Sequence, residues 1–138
     1  MRMYFFVPRQ LNGLAAGIQA GHAAVDYMAT YPMDQNPEVM EWLKEPTFII
    51  LNGGTLADLA LREEELVEMG VRFATFEEPD LNDSLAAIAF LVPESVYGIS
   101  QQLQECLDEH TEVTLLNSLP PQDVALWEYL KSFRLASN

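Results

Sequence analysis

The chain has 138 residues, enough for one domain with a single hydrophobic core. Its 21 acidic and seven basic residues give a formal charge of −14, which opposes general binding to the phosphate backbone of a nucleic acid. One cysteine and two histidines exclude an internal disulfide and a zinc cage, so we expect no metal site and no cofactor.

The predicted location is cytoplasmic. The apolar run before Pro8 is too short for a signal-peptide core, and no other run is long enough for a membrane span. We interpret Cys106 as a packing residue of a helix rather than a nucleophile, because the neighbouring His110 borders a loop.

Strand-like and helix-like segments alternate along the chain. The predicted elements are a strand at 3–7, a helix at 13–31, a short helix at 37–44, a strand at 47–51 that we expect to be fully buried, a helix at 55–70, a strand at 71–76, a strand at 85–92, a helix at 95–108, an extended segment at 113–116 and an amphipathic helix at 124–133. Asn12 and Thr55 are candidate N-caps.

The fold class predicted from this order is α/β: a single domain with a four-stranded mixed sheet and helices on both faces. Helices between strands imply parallel crossovers, whereas the acidic link at 77–83 is too short for one and indicates an antiparallel pair. We assign the domain to 1–110. A C-terminal extension, 111–138, is expected either to pack on that domain or to form a homodimer contact, with Trp127 and Tyr129 as anchors.

The first long helix consists almost wholly of small residues. Gly13, Gly17 and Gly21 recur every fourth position and share one face, which predicts close packing of that face on the sheet. Leu14, Ile18, Val25 and Met28 form an apolar stripe, with His22 on or beside the buried face and Gln19 on the flank.

The sequence resembles the type-2 peptidyl-tRNA hydrolase family over about residues 3 to 107. The resemblance rests on the order of elements, on the helix Gln19-Ala20-Gly21-His22-Ala23-Ala24, and on a strand with an acidic end. It implies that family's fold, with Gln19, His22 and Glu78 as catalytic candidates and Glu77 as the next choice for the carboxylate. The family's lysine, four residues before the matching glutamine, is replaced by Ala15, and its Thr-Gln loop by Pro79 to Asp83.

Two functions follow from these residues. The first is a non-catalytic binding or regulatory protein with an acidic surface, which engages a protein partner or a small ligand through Arg9, Gln19 and Asn52. The alternative is an active hydrolase of peptidyl- or aminoacyl-tRNA or a related ester, and only this alternative needs tRNA as a partner. In it Glu78 is the base, Gln19 the oxyanion donor or an orienting residue, His22 a support, and Arg9 replaces the missing lysine.

Overall fold

The computed structural model describes residues 1–137 and contains a four-stranded mixed sheet with helices on both faces. Its elements follow the chain as β1 (Arg2–Val7), α1 (Gly13–Thr30), α2 (Pro37–Lys44), β2 (Phe48–Asn52), α3 (Leu56–Glu68), β3 (Ala74–Glu78), β4 (Ser84–Val92), α4 (Glu94–Tyr97), α5 (Ile99–Gln104), α6 (Glu109–Ser118) and α7 (Pro121–Lys131). A 3-10 turn, Pro79–Leu81, joins β3 to β4. The predicted α/β class and mixed sheet are confirmed.

The strands lie in the order β2-β1-β4-β3. β1 and β2 run parallel, joined by the crossover through α1 and α2, and β4 is antiparallel to both of its neighbours. The short link between β3 and β4 therefore makes the antiparallel pair that its length predicted. β2 and β3 are the two edge strands.

Alternation along β1 divides the core between the two faces of the sheet. Phe5 and Val7 pack on one face, with α1 and α2, in a cluster that includes Trp42. Phe6 packs on the other face with α3, α4 and α7. Each face therefore has its own apolar cluster, and α7 completes the second one through Leu126, Trp127 and Leu130.

After α7 the chain turns back along the exposed side of β2. The Asn52 N–H donates to the Arg134 carbonyl at 2.8 Å, and the Ala136 N–H donates to the Ile50 carbonyl at 2.9 Å. The Ser137 carbonyl then accepts from the N–H of Gly13, at the start of α1, at 2.7 Å. This segment, residues 134–137, is called the tail below, and it covers the edge that β2 leaves open.

The predicted orientation of α1 is wrong. The residues buried against the sheet are Ala16, Ala20, Ala23, Ala24 and Tyr27. Leu14 and Val25 are 81% and 61% exposed, and a Cβ atom built on Gly17 or Gly21 would meet nothing within 4 Å. The close approach of α1 to the sheet thus depends on alanines, and the face that carries Gly17 and Gly21 points away from the sheet.

Four other predicted elements also differ. β2 is an edge strand, with Phe48 40% exposed, rather than a fully buried one. Residues 113–116 belong to α6, because the Asp108 side chain accepts from the Thr111 N–H and starts a helix there. The helix predicted at 95–108 divides into α4 and α5 at Gly98. β3 begins at Ala74, not at residue 71, and extends past a bulge to Glu78.

Candidate functional site

Gln19 and Glu78 meet where α1 crosses the end of β3. The Gln19 Nε2 atom donates to Glu78 Oε2 at 3.0 Å, and both side chains are partly buried. If the Gln19 amide were turned over, its oxygen would face the Glu78 carboxylate oxygen and the two would repel, so the carboxylate fixes the orientation of the amide. Gln19 Oε1 is buried without a hydrogen-bond partner among residues 1–137. Two of the predicted catalytic candidates are therefore in contact with each other.

The Glu78 carboxylate is held on both of its oxygens. Oε1 accepts from the Asp80 N–H at 3.3 Å, in the turn that follows β3, while Oε2 accepts from Gln19. In residues 1–137 the ion pairs shorter than 4.0 Å are Arg62 with Glu65 and Arg72 with Glu38. No cation in that part of the chain thus lies within ion-pair distance of Glu78.

His22 was expected on or beside the buried face of α1, and it lies beside that face. It is exposed, and its ring stacks on Phe76 of β3 with centroids 4.5 Å apart and planes 16° from parallel. The stacking covers one face of the Phe76 ring at the sheet edge. His22 therefore lies close to β3 without being a packed core histidine.

Arg9 and Asn52 lie at the turn after β2. The Arg9 N–H donates to the Gly54 carbonyl at 2.7 Å, and Asn52 Oδ1 accepts from the Gly54 N–H at 2.9 Å. Hydrogen bonds with Thr55 lower the pKa of Asp58 most, and the charges of Arg62 and then Arg9 lower it further. Arg9 therefore meets this turn through its backbone, and Asn52 shapes the turn through its side chain.

Glu77 belongs to the other side of β3. Burial raises the pKa of Glu63 on α3, and the neighbouring Glu77 carboxylate raises it further. Successive strand residues point to opposite faces, which explains why Glu78 reaches α1 while Glu77 lies near α3. The acidic segment 77–83 thus spreads its charge over both faces of this sheet end.

Sequence reasoning missed a cleft of about 420 Å³ beside these residues. We call it the Leu81 cleft; its lining comes from the loop after β1, the start of α3, the 3-10 turn and the start of β4 (Pro8, Gln10, Leu11, Leu56, Asp80, Leu81, Asn82, Ser84, Leu85 and Ala86). Most of these side chains are apolar. None of the five predicted site residues lines it, although Arg9 and Glu78 are near neighbours of lining residues along the chain. No local pattern signals this cleft, because three separate stretches of the chain form it: residues 8–11, Leu56 and residues 80–86.

No family model matches the chain, and no curated protein matches it. In the described part of the chain, no helix combines the length and apolar character that a bilayer crossing requires. Residues 1–137 also contain no group of three or more His, Cys, Asp or Glu side chains placed to hold a metal ion.

Proposed function

We propose that this protein is a non-catalytic binding protein on a variant of the type-2 peptidyl-tRNA hydrolase fold. The observation that carries the proposal is the state of Glu78. Its two oxygens accept hydrogen bonds from Gln19 and from the Asp80 N–H, and no cation among the described residues is within ion-pair distance. Each of these hydrogen bonds stabilises the carboxylate and uses a lone pair that a general base would direct at water, and a developing oxyanion needs donors or positive charge.

Other contacts support the loss of catalysis. Ala15 stands one helical turn before Gln19 and is exposed, so the position that carries the family's lysine offers no charge. Arg9, the expected replacement, is exposed and forms no ion pair with Glu78. The Glu78 carboxylate takes one of the two N–H groups of the Gln19 amide, so a single donor is left for a developing oxyanion.

The Leu81 cleft is the binding surface in this proposal. Leu56 and Leu81 line it and are 43% and 46% exposed, so they offer apolar contact area to a partner. Asp80 lines it as well, and Glu77, Glu78 and Asp83 lie in the same acidic segment. The matching occupant is a protein segment with an apolar side chain flanked by lysine or arginine.

A peptide titration tests the binding surface. The probe is a short peptide with a central leucine and two lysines on each side, compared with the same peptide carrying serine at the centre. Leu81→Ser should weaken binding of the leucine peptide about tenfold, because a buried leucine contributes roughly 1.5 kcal/mol or more. Leu107→Ser is the matched control, since Leu107 is 96% exposed and lies outside the cleft. Equal binding of both peptides, or equal losses in both variants, would contradict the proposal.

The active hydrolase remains the second candidate, favoured by the 3.0 Å contact between Gln19 and Glu78. We expect the parent protein to release no peptidyl or aminoacyl group from tRNA above background. Ala15→Lys restores the family's cation and tests whether its absence limits turnover; nearby carboxylates in segment 77–83 can hold the new lysine instead. Turnover by the parent that disappears in Gln19→Ala and Glu78→Ala would reverse the order of the two candidates.

A further inference from the structure

A second cavity lies on the face of the sheet opposite α1. It has a volume of about 300 Å³ and is bounded by β1, β2, α4 and α7. We call it the Arg2 pocket. Its polar lining comes from Arg2, Tyr97, Ser100 and Lys131, and Trp127 forms part of its aromatic wall. Apolar residues of β2, α4 and α7 complete the lining, so the pocket joins cations to an apolar interior.

The charge of this pocket is opposite to that of the protein. The chain has seven basic residues and a formal charge of −14, yet two of the seven line the pocket and no acidic residue does. Arg62 and Arg72 each pair with a glutamate. In residues 1–137, neither Arg2 nor Lys131 has a carboxylate within 4.0 Å, so two uncompensated cations share one cavity.

The aromatic residues hold these cations in place. Arg2 Cζ lies 4.0 Å from the centroid of the Tyr97 ring, and Lys131 Nζ lies 4.0 Å from that of Trp127. A guanidinium stacked on a ring still presents its N–H edge to a carboxylate. Trp127 Nε1 donates to Ser100 Oγ at 2.8 Å, which leaves the Ser100 hydroxyl hydrogen free to donate.

We propose that the Arg2 pocket binds a small organic anion, in which a carboxylate is carried on an apolar aromatic or aliphatic body. Arg2, Lys131 and the Ser100 hydroxyl hold the carboxylate, and the apolar lining takes the body. The volume equals that of about ten water molecules, which suits a ligand of about ten to fifteen heavy atoms. This site is independent of the Leu81 cleft, because it lies on the other end of β1 and uses none of the same residues.

Nuclear magnetic resonance of the two tryptophan indoles tests the proposal. Trp127 lines the pocket, whereas Trp42 is buried in the cluster on the other face, where its indole N–H donates to the Thr47 carbonyl. The probe is 4-phenylbutanoate, and the control is the uncharged 4-phenylbutanamide. We expect the acid to shift the Trp127 indole signal in a saturable way, the amide to bind at least tenfold more weakly, and the Trp42 signal to stay in place.

Charge-removing variants locate the binding site of the anion. Arg2→Gln should weaken 4-phenylbutanoate about tenfold, and Lys131→Gln about threefold, because Lys131 is exposed and more strongly screened. Arg134→Gln and Lys44→Gln remove the same charges outside the pocket and should leave the affinity unchanged. Equal losses in these controls would show a general charge effect and overturn the site. Equal binding of the acid and the amide, or no shift of the Trp127 signal, would overturn the proposal. Arg2 and Lys131 would then serve only to pack on Tyr97 and Trp127.

Discussion

Replacing Gly17 and Gly21 by alanine should stabilise the protein. Both positions lie inside α1, and an added Cβ meets nothing within 4 Å at either one. The change then acts through the unfolded chain, which loses conformational freedom worth about 0.5–1 kcal/mol for each glycine. The double variant should gain about 1.5 kcal/mol. An unfolding entropy of about 2.1 cal/mol/K for each of 138 residues converts this into a rise in Tm of about 5 °C.

Thermal unfolding followed by circular dichroism measures this shift, with Gly53→Ala as the matched control. A Cβ at Gly53 would lie 3.0 Å from Leu59 Cδ1 and 3.0 Å from Phe6 Cβ, so the same chemical change should lower the Tm. The reasoning about α1 fails if the double variant unfolds at or below the temperature of the parent. That outcome would mean that the glycine face is covered in solution.

Truncation after residue 133 removes the tail and its three backbone hydrogen bonds, which should lower the free energy of unfolding by about 3 kcal/mol. An unchanged midpoint of urea unfolding would contradict the structural role of the tail. Folding lowers the pKa of Asp58, so the ionised carboxylate stabilises the folded state above its ordinary pKa of 3.8, and this stabilisation is lost as the pH falls through the lower folded-state pKa. Asp58→Asn should therefore flatten the acid limb of a plot of stability against pH. Folding raises the pKa of Glu63, so the folded state loses stability as the pH rises and the buried carboxyl ionises. Glu63→Gln carries no such charge and should be more stable than the parent protein at neutral pH, but not in acid. At physiological salt the protein should bind tRNA weakly or not at all, and submicromolar, salt-sensitive binding in a filter assay would refute this.

Local signals in the sequence predicted the parts of the fold that depend on neighbouring residues. Thr55 was expected to cap a helix, and it does so in a reciprocal capping box with Asp58. Gly70 at the end of α3 has a φ of 70°, which suits the helix C-terminus that the sequence indicated. The short link at 77–83 likewise determined the antiparallel pairing of β3 and β4.

The orientation of α1 was not predictable from hydrophobicity. A periodicity analysis weights Leu14 and Ile18 above alanine and therefore places them inside. In the structure Ala16, Ala20 and Ala23 are buried because small side chains let the helix lie close to the sheet, and this gain depends on the sheet rather than on the helix itself. Packing between elements thus overrode the local pattern.

The candidate site was predictable only in part. The resemblance grouped Gln19 with Glu78, and these two residues, 59 positions apart, are in contact between the first half of α1 and the end of β3. The surroundings of Arg9 and Asn52 depend on the turn after β2, whose hydrogen bonds to Gly54 give no sequence signal that distinguishes a structural role from a ligand role. The Leu81 cleft and the tail both need contacts between distant segments.

The two edges of the sheet are protected at different times during synthesis. β3 carries a bulge at Phe76 and Glu77 and ends in two glutamates, and both features discourage pairing with another chain from the moment it forms. β2 is apolar, and its cover, the tail, is translated more than 80 residues later. A nascent chain or a truncated product therefore exposes an uncovered apolar edge, so premature termination should produce aggregating fragments rather than merely unstable ones.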